Sequence, residues 1–148
     1  MSRAEKATEL FLSGYSCSQA VLGAFCDELG LSLADALKLA SPFGGGIGGM
    51  REMCGACTAM FMIAGIKFGY STTGLEEKKE HYALIKSLAD KFIQKNGTMN
   101  CRQLLARHAV VASSEPSERT PEYYKKRPCL RYVLDAVDIV EEMLEKAK

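Results

Sequence analysis

The residues with the widest chemical reach in this chain are its cysteines: Cys17, Cys26, Cys54, Cys57, Cys101 and Cys129, six in 148 residues. A thiolate is both a soft metal ligand and a redox nucleophile. In a reducing cytosol, clustered cysteines signal metal binding or catalysis more often than structural disulfides. A glycine-rich run, Gly44, Gly45, Gly46, Gly48 and Gly49, precedes Cys54 in GGGIGGMREMCGAC. Glycine permits backbone angles closed to other residues, or a close approach of the backbone to a bound group. Two readings of the run stand at this level. Its N–H groups wrap a sulfur-bound centre, or it is a tight turn between two helices. Cys54-Gly-Ala-Cys57 is a C-x-x-C pair. That spacing suits a dithiol couple or two metal ligands, here without the βαβ surroundings of a thioredoxin-like site.

The elements that position these thiols read as helices. Apolar residues recur at helical spacing, and strand-like alternation is nearly absent. The pattern predicts helices over residues 3–12, 17–29, 32–40, 54–68, 75–94, 101–108 and 129–145. Ala7, Leu10 and Phe11 share a face of the first. Residues 54–68 are apolar on nearly every side, which marks a buried central helix. Tyr82, Ile85, Ala89 and Phe92 form the stripe of the next. Leu130, Val133, Leu134, Val137, Val140 and Leu144 form that of the last. SSEPSERTPEYYKKRP is polar and broken by proline, so it reads as a mobile surface loop. The expected fold is all-α: one domain over residues 1–148, a compact bundle of five to seven helices with the glycine loop ahead of the buried helix.

Four thiols then share one kind of position. Ser16-x-x-Gln19 reads as a capping box before Cys17, and Asn100-x-x-Gln103 resembles one before Cys101. Pro128, favoured in a first helical turn, precedes Cys129. Cys54 opens the central helix. At a helix N-terminus, free N–H groups and the helix dipole favour thiolate over thiol. Cys26 is half a helical turn from Cys17 and reads as core. Cys57 lies on a neighbouring face from Cys54, as an extra ligand or a resolving thiol. The methionines Met50, Met53, Met60 and Met62 read as core filler.

Composition removes other classes. The net charge is +1, which carries no field for nucleic acid. The longest apolar run, residues 54–66, is shorter than a membrane span of roughly 20 residues. The polar start lacks a secretory signal, so a soluble cytoplasmic protein is expected. No P-loop, dinucleotide fingerprint or haem-attachment motif is present. His81 and His108 read as surface or partly buried histidines rather than catalytic bases.

The pieces YSCSQAVLGAF, FGGGIGG, CGACTA, NCRQLL and RPCLRYVLDAV resemble the family of redox-active proteins named for the pattern C…GCAxxG…C…C. The last glycine of the CGAxxG core is Ala59 here, and Cys57 fills a variable position. The resemblance implies a redox role and an iron–sulfur prosthetic group. Three chemistries follow. The first is an iron–sulfur cluster, [2Fe–2S], held by Cys54, Cys101 and Cys129 with Cys17 as fourth and Cys57 as a further candidate. Arg51, Lys125, Lys126 and Arg127 stand near these thiols in sequence and could offset cluster charge, although Lys125 and Lys126 read better as solvated surface. The second is metal-free thiol–disulfide exchange by a low-pKa Cys54 with Cys57 or Cys129. The third is structural zinc, ranked last because only Cys54 and Cys57 are closely spaced. An unidentified redox protein is the expected partner. Homodimer formation and a place as an oxidoreductase component stay open.

Overall fold

The computed structural model describes residues 1–147, and there the apolar pattern resolves into helices joined by turns. They are α1 (Arg3–Leu12), α2 (Cys17–Ala24), α3 (Leu33–Ala40), α4 (Gly55–Phe68), α5 (Leu75–Asn96), α6 (Cys101–Ala106), α7 (Pro121–Lys126) and α8 (Cys129–Lys146), with a 3₁₀ turn at Ser41–Phe43. Among the described residues the extended pairing is one isolated bridge, Met53 to Asn100. The fold is all-α, as the periodicity requires, with eight α-helices among the described residues where five to seven are expected.

α4 lies at the centre, against α2, α8 and α5, and α1 closes α2 and α8 from the other side. Its buried face holds Ala56, Ala59, Met60, Ile63 and Ala64. Small residues alternating with large ones let neighbouring helices approach and still fill the space between them. Ala59, where the family pattern has glycine, is fully buried. The apolar surround fails only at the C-terminal end, where Ile66 and Phe68 reach solvent. No helix is long and apolar enough to cross a membrane among the described residues.

The helix starts carry the caps the sequence predicts. Ser16 and Gln19 form a full capping box, and the Ser32 hydroxyl accepts from the Asp35 N–H at 3.0 Å. Asn100 caps α6 by accepting from the Gln103 N–H at 3.0 Å. The reciprocal half of that box runs through Thr98, whose hydroxyl accepts from the Asn100 N–H and donates to Gln103 Oε1.

Several expectations change. α2 stops at Ala24 instead of near residue 29. Arg3 donates to the Ala24 carbonyl at 2.9 Å and lies over the Phe25 ring, which gives this helix end a cation and a partner for its free carbonyl. On α5, Phe92 is buried and Ile85 packs against the core as expected, but Leu88 takes the buried place expected of Ala89, and Tyr82 is exposed. Leu88 removes more apolar area than Ala89 would, and Tyr82 pairs its hydroxyl with Tyr70 at the surface. Met50 is 59% exposed, so it is not core filler. The segment read as a mobile loop contains α7, capped by Thr120. Tyr124 anchors it edge-on to Phe11 at 5.7 Å and donates to the Phe11 carbonyl.

Candidate functional site

The starts of α2, α4, α6 and α8 converge. The backbone couples two of them directly. The Cys54 N–H donates to the Met99 carbonyl at 2.7 Å, and the Cys101 N–H donates to the Glu52 carbonyl at 2.6 Å. This short bridge sets Cys54 beside Cys101. Packing of α2 on α8 brings Cys17 to Cys129. Together these four thiols line one cavity of ≈ 480 Å³. Gly44, Gly45, Gly46, Gly48 and Gly49 line it too. Cys26 is buried in the core. Cys57 is fully buried behind Cys54 and does not line the cavity.

The glycine run does more than turn the chain. Gly46 has φ +67°, and a Cβ there would stand 2.7 Å from the Cys101 Cβ and 2.8 Å from the Arg51 Cα. The loop therefore packs directly on one of the thiol-bearing residues. A side chain at Gly49 would overlap the Ser114 carbonyl, so the loop also receives the wall that the 114–117 segment builds.

Arg51, a cation near the thiols in sequence, is placed against one of them, whereas Arg119 of the same cavity is not singled out from the sequence. Arg51 holds a left-handed backbone, φ 57°, and is only 7% exposed. Its Nε donates to the Ser113 carbonyl at 2.7 Å, and Nη1 reaches Cys101 Sγ at 3.5 Å. It ties the loop to the wall and sets a cation beside sulfur. Arg119 and Arg127 line the same cavity. Lys125 and Lys126 are exposed.

The thiols are all free and do not behave alike. A hydrogen bond from Cys57, and the N–H groups of Ala56 and Cys57, hold the Cys54 thiol below its usual range against the cost of burial. The Cys17 hydrogen bond, then the Arg127, Arg119 and Arg51 charges, bring Cys129 down to about 7. Their donors move the other way. Cys17 is pushed well up by its bond to Cys129 and by burial, and Cys57 is pushed up by its bond to Cys54 and by burial. Burial raises Cys101, with Arg51 opposing. A helix start alone was expected to favour thiolate at all four positions. Only Cys54 and Cys129 follow, because each hydrogen-bonded pair holds one proton on its donor and burial outweighs Arg51 at Cys101. Alkylation of Cys129 by iodoacetamide, read by mass spectrometry, should be half-maximal near pH 7. It should fall below that pH as the thiolate is protonated. A midpoint at about 8.5, the free-cysteine value, would contradict the arrangement.

As the side chains stand, no group of three or more His, Cys, Asp or Glu residues is gathered tightly enough to hold a metal ion among the described residues. His81 sits edge-on to Tyr70, and His108 is exposed. Neither lines the cysteine cavity.

An all-α fold with four helix-start thiols around one cavity defines a cysteine-centred protein. The chain belongs to the family described as "Putative redox-active protein (C_GCAxxG_C_C)", whose profile matches residues 15–143. It is also similar to an uncharacterized protein of Archaeoglobus fulgidus, 27% identical over 161 aligned positions, which span 100% of this chain and 99% of the relative. No solved structure matches.

Proposed function

We propose that this redox protein carries an iron–sulfur cluster, [2Fe–2S], bound by the thiolates of Cys17, Cys54, Cys101 and Cys129, and acts in electron transfer or redox sensing. One observation carries the reading: four thiols from four separate helix starts face one cavity. The donor set fits the group. It is all soft sulfur, and the one carboxylate on the cavity wall, Glu115, is exposed. Since the thiols are not gathered tightly in this structure, they would close on the cluster as it binds.

A cluster held there would supply one-electron chemistry. The chain's own groups set its conditions. Leu104, Leu105 and Tyr132 give the cavity an apolar flank. Arg51 offsets thiolate charge at Cys101. The N–H groups at the start of α4 donate toward Cys54 sulfur, the kind of interaction that tunes a cluster's potential. Cys57 is a donor to Cys54 in this reading, not a ligand. A cytoplasmic setting, a separate redox protein as partner and a homodimer are compatible with it.

The test is the absorption spectrum of protein purified without oxygen, with iron and acid-labile sulfide assayed on the same sample. Visible charge-transfer bands with equal iron and sulfide are expected. Colourless protein that stays iron-free after reconstitution would overturn the proposal. A second reading has its own support. Cys54 with Cys57, and Cys17 with Cys129, are two hydrogen-bonded thiol pairs with one acidified member each, as metal-free thiol–disulfide exchange requires. Zinc in place of iron, with four thiols protected from alkylation, would instead favour the structural-metal alternative.

A further inference from the structure

The cavity has a second wall, built by a segment that carries no thiol. Residues 114–117, Arg119, Tyr123 and Arg127 form it. On this wall two guanidinium groups flank one aromatic ring. Arg119 Cζ lies 4.4 Å from the Tyr123 ring centroid and Arg127 Cζ lies 5.0 Å from it. Arg119 also lies over the Phe11 ring, at 5.2 Å. Arg127 is tied down by a hydrogen bond to the Ser117 hydroxyl at 3.2 Å. Neither arginine forms an ion pair among the described residues. Arg119 Nη1 is out of contact with solvent and has no acceptor.

Such an arrangement is costly as it stands. Stacking on Tyr123 and Phe11 and the nearby Cys129 sulfur offset only part of the cost of desolvating two cations that have no carboxylate partner. A bound anion would offset the rest. Arginine's planar fork also matches the two oxygens of a carboxylate or the face of a phosphate. Arg51, a donor only, is engaged with Ser113 and Cys101, so it adds a third cation to the chamber and no acceptor. The wall is built rather than loose: the Arg51 bond to the Ser113 carbonyl and the close fit of Ser114 against Gly49 hold its first residues in place. The cavity, at ≈ 480 Å³, lies within the size range of small-molecule sites, roughly 300–1,000 Å³.

We infer that Arg119 and Arg127 form a subsite for the oxyanion group of a small molecule, a carboxylate or a phosphate, which would then lie in the same chamber as the thiols. The subsite does not depend on the cluster. It stands if the thiols are metal-free, and it gives a redox centre a small anionic substrate or effector in either case. Glu115, the acid on the same wall, is the competing group.

The test uses the full chain in two forms, metal-free with reduced thiols and as purified without oxygen. Inorganic phosphate binding is followed by equilibrium dialysis at low ionic strength, with acetate as the carboxylate probe. One saturable site per chain is expected in the metal-free form. Arg119→Gln should weaken it by about tenfold or more, the usual weight of hydrogen bonds to charged groups. Arg119→Lys should retain part of the affinity, and Glu115→Gln should strengthen it. Lys125→Gln, an exposed cation outside the chamber, should leave it unchanged. Since Arg119 also packs on Phe11, Arg127→Gln is the second variant, and thermal melts confirm that each variant is folded. No saturable binding, or equal binding by wild type and both folded glutamine variants, would overturn the inference. Because the metal-free form is measured separately, failure of the subsite and failure of cluster binding are told apart.

Discussion

Cys54→Ser should abolish iron retention and visible absorbance in anaerobically purified protein, while Cys26→Ser leaves both at the wild-type level. Cys54 is the N-cap of α4 and is 5% exposed, with its sulfur at the convergence of the helix starts. A serine hydroxyl there is a hard, weakly acidic donor in place of a soft thiolate. Iron per chain should fall by about tenfold or more, since a lost ligand is more damaging than the 10–100-fold typical of a lost ligand-supporting bond. Cys26 is just as buried but faces the core, with the Lys6 ammonium 4.0 Å from its sulfur. The informative member of the series is Cys57→Ser. Cys57 is three residues from Cys54 yet lies behind it, out of the cavity. Its variant should keep its iron and change the potential, since a hydroxyl, a stronger donor on a shorter bond, now faces Cys54 sulfur. Loss of iron from Cys57→Ser with full retention in Cys101→Ser would redraw the ligand set. Retention of iron in Cys54→Ser would remove the central helix start from the site.

What the sequence discloses about this site is where each thiol sits on its own helix. Ser16 with Gln19, and Asn100 ahead of Gln103, are local signals, and local signals survive folding unchanged. They set Cys17 and Cys101 at first-turn positions without any knowledge of the tertiary structure. The periodicity of α4 and α8 likewise follows from the 3.6-residue repeat and discloses a buried central helix. What it does not disclose is anything that depends on two segments meeting. The bridge between Met53 and Asn100 is too short to leave an alternating pattern, yet it brings Cys54 to Cys101. The hydrogen bond of Cys17 to Cys129 and the burial of Cys101 are also tertiary, which is why a uniform expectation for helix-start thiols fails at Cys17 and Cys101.

The 113–128 stretch is the largest misreading. Proline, serine and charge suggest a solvated loop, and most of its side chains are indeed exposed. But Tyr123 and Tyr124 supply enough apolar area to dock a short helix on Phe11, and aromatic pairs of this kind add to simple burial. The aromatic residues within a polar run were the available signal. The arginines follow from the same placement. Arg119 and Arg127 are unremarkable in sequence and become a paired cationic wall only once α7 is docked. The thiols of the cavity thus come from helix starts, and two of its three arginines come from the docked segment.

Gly46→Ala should destabilise the protein by about 2–5 kcal/mol, and Gly48→Ala by about 1–2 kcal/mol, the range expected for a left-handed alanine alone. The two positions share one backbone region, with φ +67° at Gly46 and +54° at Gly48. Their surroundings differ. A Cβ at Gly48 meets nothing closer than the Pro42 carbonyl at 3.9 Å, an ordinary contact. At Gly46 it meets the Cys101 Cβ at 2.7 Å and the Glu52 nitrogen at 2.8 Å, and two of its three nearest atoms are backbone. Those atoms cannot rotate away. The overlap must be relieved by moving the loop, the Cys101 start of α6, or both, and overpacking of this kind adds roughly 1–3 kcal/mol. The Glu52 N–H donates to the Gly46 carbonyl at 2.8 Å, and the Cys101 N–H donates to the Glu52 carbonyl, so the displacement runs along one hydrogen-bonded chain into a thiol position. Urea titration of both variants, with unchanged slopes, gives the difference from the midpoints. Equal losses at the two glycines would show that the loop needs only its left-handed turns. A larger loss at Gly46, accompanied by lost iron in the same protein, would show that the close fit of loop to Cys101 is what keeps that thiol in the cavity.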